Sequence, residues 1–260
     1  MEDIKRNSQN ILLSYKSIYG WMNLKTYIFM IILVPFSQTA LFSYLNYFIK
    51  GESGMKYAAL GNAMYTICIF VVFSMGTSIT TERRLGTLQI ILLSPQNKVA
   101  LFATKSVLHI IEGVITACFS LILGAIFFEL NFYGLNCFSL VGIIILTSAM
   151  MIGVGLFAGV MGLLFRRATP ILNFIILSIF LLCGVNFPVS SLPKVIQYIS
   201  NIIPLTHGIK ILRAMYNREI ITNSSLLYLC LTGLVFFVIS YSIFVFCEDY
   251  CRRKGSLEYY

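Results

Sequence analysis

The chain has 260 residues, 58% of them hydrophobic and only 11% charged, with a mean hydropathy of +0.85. Soluble globular domains carry about 25% charged residues, so this composition excludes a soluble globule and places the chain in a lipid solvent. The formal net charge of +9 is scattered between apolar stretches rather than striped along one element, which reads as membrane topology and argues against nucleic acid as a partner.

The chain opens Met1-Glu2-Asp3 and stays polar for about 25 residues, so no cleavable leader is expected. Ile11, Leu12, Tyr15, Ile18, Tyr19 and Met22 recur at helical spacing, opposite Ser14, Lys16 and Ser17. With Trp21 as an anchor, residues 1–25 are expected to carry a helix lying in the membrane interface.

Six transmembrane helices are expected in one domain, 1–260. The first covers residues 26–49, with Pro35 kinking but not breaking it. A polar loop at 50–56 leads to the second, at 58–80. The third, 98–128, is longer than the roughly 20 residues a bilayer needs, so its first turns are expected to project into the cytoplasm. The fourth spans 138–165 and is closed by Arg166-Arg167. The fifth begins after Pro170 and reaches only to Phe187. The sixth covers 225–247, and Arg252-Arg253-Lys254 follows.

Of the 19 Lys and Arg residues, thirteen fall on the side of the termini in this arrangement. The positive-inside rule therefore predicts cytoplasmic termini. Segment 188–218 then faces outside. Leu192, Val195, Ile196, Ile199, Ile202 and Ile203 form one helical stripe, with Ser190 and Ser191 as capping candidates and Pro193 in the first turn. Pro204 ends it, and Leu205, Ile209, Leu212 and Tyr216 form a second stripe. Two short re-entrant helices dipping into the outer leaflet explain apolar segments too short to span. The seven cysteines contain no C-x-x-C pair, so buried reduced thiols are expected, with no disulfide framework and no metal site.

The loop between the second and third spans carries Glu82-Arg83-Arg84-Leu85-Gly86-Thr87-Leu88 and stops at Ser94-Pro95. Its charged start and the apolar positions Leu85, Leu88, Ile91 and Leu92 describe a short amphipathic helix on the cytoplasmic face. On physical grounds such a helix either buries its apolar face in a soluble partner or lies on lipid, and both remain open. A second cluster joins Gly184, Phe187-Pro188, Leu192-Pro193, Pro204-Leu205-Thr206-His207 and Arg213.

Together these two motifs resemble those of the ABC type-2 transporter permeases: the first their cytoplasmic coupling helix (82–95), the second their signature between the fifth and sixth spans. The resemblance covers essentially the whole chain. It implies the transmembrane subunit of an ABC exporter in the bacterial cell (inner) membrane, paired with a second permease subunit as a homodimer. A separate ABC ATPase subunit would be gripped through Glu82, Arg83, Gly86, Thr87 and Leu88. Phe187, Pro188, Pro193, Pro204, His207 and Arg213 would shape an outer gate. The expected cargo is a drug, antimicrobial peptide or lipid-like molecule, with polysaccharide or teichoic-acid precursors as the alternative.

The sequence contains no G-x-x-x-x-G-K-[ST] and no Gly-Lys dipeptide, so it has no phosphate cradle of its own. ATP and Mg are expected on the partner subunit, and no catalytic, cofactor-binding or metal-ligating residues are assigned in this chain. Within the third span, Lys105, His109, Glu112 and Thr116 share one face. Lys105 and Glu112 are expected to pair near the hydrated inner interface. A structural or subunit contact, a substrate contact, and the proton relay of a secondary transporter are the three roles open to His109 and Glu112.

Overall fold

A computed structural model describes residues 24–84, 86–87, 98–165 and 168–254. The expected interfacial helix falls almost wholly outside the described residues, as do Leu88 and the rest of the coupling helix beyond it.

Every regular element among the described residues is helical, and four helical stretches are long and apolar enough to cross a membrane: Ile31–Arg83, Val107–Phe127, Cys137–Leu164 and Asn223–Asp249. The first is built from α1 (Leu24–Cys68), a π-helical segment (Ile69–Phe73) and α2 (Ser74–Arg84). At 53 residues it holds about 80 Å of helix, far more than the ~30 Å hydrocarbon core. It is folded at one residue. Gly51, with φ 68° and ψ −155°, is the only non-helical position within α1, and a side chain there would strain the backbone. The polar loop expected at 50–56 is thus a one-residue corner, and helix resumes at Glu52.

The two arms on either side of Gly51 run back alongside each other. The Phe180 ring packs at a tilt against Phe42 from the first arm, centroids 4.7 Å apart, and against Tyr65 from the second at 4.8 Å. Pro35 sits inside the first arm without interrupting it.

Then follow α3 (Lys98–Phe127), α4 (Cys137–Met150), α5 (Ile152–Leu164) and α6 (Thr169–Leu182). The expected fourth span is divided at Met151, and Asn136 caps its start by accepting from Phe138 N at 3.0 Å. A 3-10 turn (Val189–Ser191), α7 (Lys194–Ile202), α8 (Pro204–Tyr216) and α9 (Asn223–Lys254) complete the described chain. Pro193, not Ser190 or Ser191, is the residue before α7.

The second arm forms the centre of the core: Ala63, Met64, Ile67 and Val71 are fully buried. It packs against α3, α4, α5 and α8, and α9 lies along α5. Small residues permit the closest approach. A Cβ at Gly155 or Gly159 of α5 would meet Met75 Sδ at 2.7 Å or Ile79 Cδ1 at 2.6 Å, so the pair of glycines spaced by four draws α2 and α5 together.

Candidate functional site

The two sequence motifs lie at opposite ends of the second arm. Tyr57 lies in its second turn and Arg83 nearly ends it, so about 39 Å of helix separates them at ~1.5 Å per residue. That matches a bilayer with its headgroups, ~40–45 Å.

At the Arg83 end, α2 stops in a turn closed by Gly86, which has φ 73° and donates its N–H to Arg83 O at 3.1 Å. Thr87 Oγ1 donates to Glu82 O at 3.1 Å and also to the Glu82 carboxylate. Arg83 turns inward. It is 9% exposed, and its Nη1 donates to Leu163 O of α5 at 2.9 Å. Gly86 stands exposed, and the left-handed backbone of this turn is one that glycine adopts without strain.

At the Tyr57 end, Arg213 of α8 clamps three segments. Its Nη1 donates to Gly184 O at 2.8 Å, and its Nη2 donates to Val185 O at 2.7 Å and Tyr57 O at 2.9 Å. The guanidinium carbon also lies 3.3 Å from the centroid of the Tyr57 ring, a cation–π contact. Burial pulls its pKa down to about 10, with Tyr57 acting in the opposite direction, so it remains cationic at neutral pH. Gly61 makes the clamp possible: a Cβ there would sit 2.1 Å from Val185 O and 2.5 Å from Arg213 Nη2.

The rest of the segment is bonded as densely. Ser200 Oγ donates to Leu182 O at 2.6 Å, and Thr206 Oγ1 donates to Ser200 O at 2.7 Å. His207 Nε2 lies 2.8 Å from Asn201 O, so this nitrogen carries the proton, and the ring stacks on Tyr228 of α9 at 6.0 Å. Asn62 Nδ2 donates to Asn186 Oδ1 at 2.8 Å. Of the expected gate residues, Arg213 and His207 are brought into this network. Pro204 is buried at the head of α8, Phe187 and Pro188 are half-buried, and Pro193 is exposed. Tyr57, Gly61 and Asn201 were missed by sequence reasoning; their partners lie far along the chain or belong to a turn without a motif of its own.

His109 and Glu112 are both buried, with His109 Nδ1 3.2 Å from Glu112 Oε2. His109 Nε2 is buried without a hydrogen-bond partner. Next to them on α3, Gly113 approaches Val71 and Ile67 around the start of the π-helical segment, so the pair lies in the helix-packed interior rather than at a hydrated edge. The Lys105 side chain is outside the described residues.

The protein-family model described as ABC-2 type transporter matches residues 8–217. The chain belongs to this family. No curated protein matches the sequence. Membership makes it an integral membrane component of an ABC transporter, of a kind that generally works with an ATPase subunit.

Proposed function

We propose that this ABC-2 family member is the permease subunit of an ATP-driven exporter, crossing the membrane six times with both termini in the cytoplasm. The two arms of α1–α2, α3, α4–α5, α6 with residues 183–187, and α9 make the six crossings. The 82–95 segment contacts the ATPase subunit, which holds ATP and Mg. Segment 188–218 forms two re-entrant helices at the outer face.

The observation that carries this reading is the second arm itself. One continuous helical path bears the Glu82–Thr87 turn at one end and, at the other, Tyr57, whose carbonyl Arg213 holds. ATPase closure against the turn is transmitted through the arm, with α5 moving along through the Arg83–Leu163 bond. The clamped outer segment opens in response. Arg83 acts by fixing the turn to α5, while Glu82, Gly86 and Thr87 lie nearer the surface offered to the partner.

Ser37 of α1 and Asn173 of α6 stand exposed on apolar helices, where lipid gives a polar side chain no partner. A second copy of the chain covers them in a homodimer. The apolar, compact body suits a drug, antimicrobial peptide or lipid-like cargo.

A photo-crosslinking amino acid at position 87, compared with one at position 194, tests the arrangement. Position 87 should capture a polypeptide with a P-loop, and position 194 should not. Capture from 194 alone would reverse the assignment of the two ends.

A further inference from the structure

The outer-end segment borders a half-open cavity of about 820 Å³ between the start of the second arm, the 3-10 turn, α7 and α8. Its charge is unbalanced. Lys56, Lys210 and Arg213 line it, against the single carboxylate of Glu219, which already accepts from Asn217 Nδ2 at 3.1 Å.

None of the three cations is well matched by an acid. Arg213 meets only neutral carbonyl oxygens and the Tyr57 ring. Lys210 Nζ donates to the amide oxygen of Asn201 at 2.8 Å, and partial burial pulls its pKa down. Lys56 has Glu52 one turn away at 3.9 Å, with the Glu52 side chain 72% exposed to water, so screening leaves little of that attraction.

The position adds weight. Only six of the 19 Lys and Arg residues lie on the outer side in the topology proposed above, and three of them converge on this one hollow. The positive-inside rule gives no reason to gather cations there. Leu60, Val189 and Ile209 supply apolar wall beside the ammonium groups, and the volume far exceeds that of a simple anion. Charged and apolar surfaces together suit an amphiphile with a compact anionic head, and lysine ammoniums suit phosphate as point charges.

We infer that this cavity binds the phosphate headgroup of an anionic amphiphile, with Lys56 and Lys210 meeting the phosphate and the Leu60–Ile209 wall taking the adjoining apolar part. The outward placement rests on the function proposed above. The binding itself does not, and it can be measured without an ATPase.

The test uses the purified full chain in nanodiscs of phosphatidylcholine, titrated with fluorescent phosphatidylglycerol or fluorescent phosphatidylcholine. Expected is an affinity about tenfold higher for phosphatidylglycerol. It should be lost in Lys56→Gln/Lys210→Gln and kept in Lys56→Arg/Lys210→Arg, which controls for folding. A parallel arm adds glycerol 3-phosphate as competitor. Displacement without any lipid preference assigns the site to a soluble phosphate ester and upholds the phosphate chemistry. Equal affinity for both lipids with no displacement, or a preference that survives the glutamine pair, overturns the inference. Either result leaves the ATPase contact at Glu82–Thr87 to be judged by its own crosslink.

Discussion

Replacing Arg213 with alanine removes three hydrogen bonds to carbonyl oxygens at 2.7–2.9 Å and the cover over the Tyr57 ring. A hydrogen bond from a charged donor contributes about 1.5 kcal/mol at the lower end of its range, and the carbonyls left behind must find new partners. Taken together the three bonds are worth about 4.5 kcal/mol. At about 1.4 kcal/mol per tenfold change, their loss raises the open population of the outer segment roughly a thousandfold. Cys183 reports this directly. It adjoins Gly184 and is 1% exposed, so it resists labelling while the segment is closed. In a variant retaining Cys183 as the sole cysteine, maleimide labelling should be slow. Arg213→Ala should accelerate it by orders of magnitude. Arg213→Lys should lie between, because one ammonium cannot span three carbonyls. Labelling unchanged in Arg213→Ala would refute the clamp.

Gly61→Ala should reproduce the rapid labelling, since its methyl would lie 2.1 Å from Val185 O; combined with Arg213→Ala the effects should be far from additive, because both act on one contact. At Gly86, φ 73° predicts a conformational penalty of about 1–2 kcal/mol for valine and less for asparagine, read as reduced stimulation of the partner's ATP hydrolysis. Glu112→Leu leaves buried His109 Nδ1 without its hydrogen-bond partner and should cost about 1–3 kcal/mol, seen as a lower Tm in detergent; an unchanged Tm removes the pair from the structural core. Burial holds the His207 imidazole below its ordinary 6.5, helped by the Lys210 charge and opposed by the bond to Asn201 O. Above pH 6.5 the ring is neutral whether folded or unfolded, so it adds no pH dependence there; as pH falls through 6.5 the unfolded chain takes the proton first, and stability drops until the folded pKa is passed. His207→Gln should flatten that acid-side loss in a thermal unfolding series.

Elements whose signal is local were legible in the sequence. The long apolar runs of α3 and α9, the stripes of α7 and α8, and the stop that Pro204 puts to α7 all follow from helical periodicity and backbone chemistry. The corner at Gly51 was not, because Lys50, Glu52 and Ser53 have the composition of a loop whether the chain spends seven residues or one on the reversal. The division at Met151 is likewise hidden among apolar neighbours. The spacing of His109 and Glu112 announces their shared face, but which way that face points depends on α3 packing against the second arm. The Arg213 clamp was least visible: Tyr57 lies 156 residues away, and a tyrosine near a span end ordinarily reads as an interface anchor. Family motifs located the arginine; only the fold supplies its three carbonyl partners.

The dependence on a separate motor is tested most directly by purifying the tagged full chain from its native membranes in mild detergent and assaying ATP hydrolysis in the eluate. Expected is a P-loop polypeptide in near-equal amount with measurable ATPase activity, both strongly reduced by Glu82→Lys while the permease itself remains folded and in the membrane. A chain that purifies without any such partner, and still moves cargo across reconstituted vesicles lacking ATP, would contradict an ATP-driven permease.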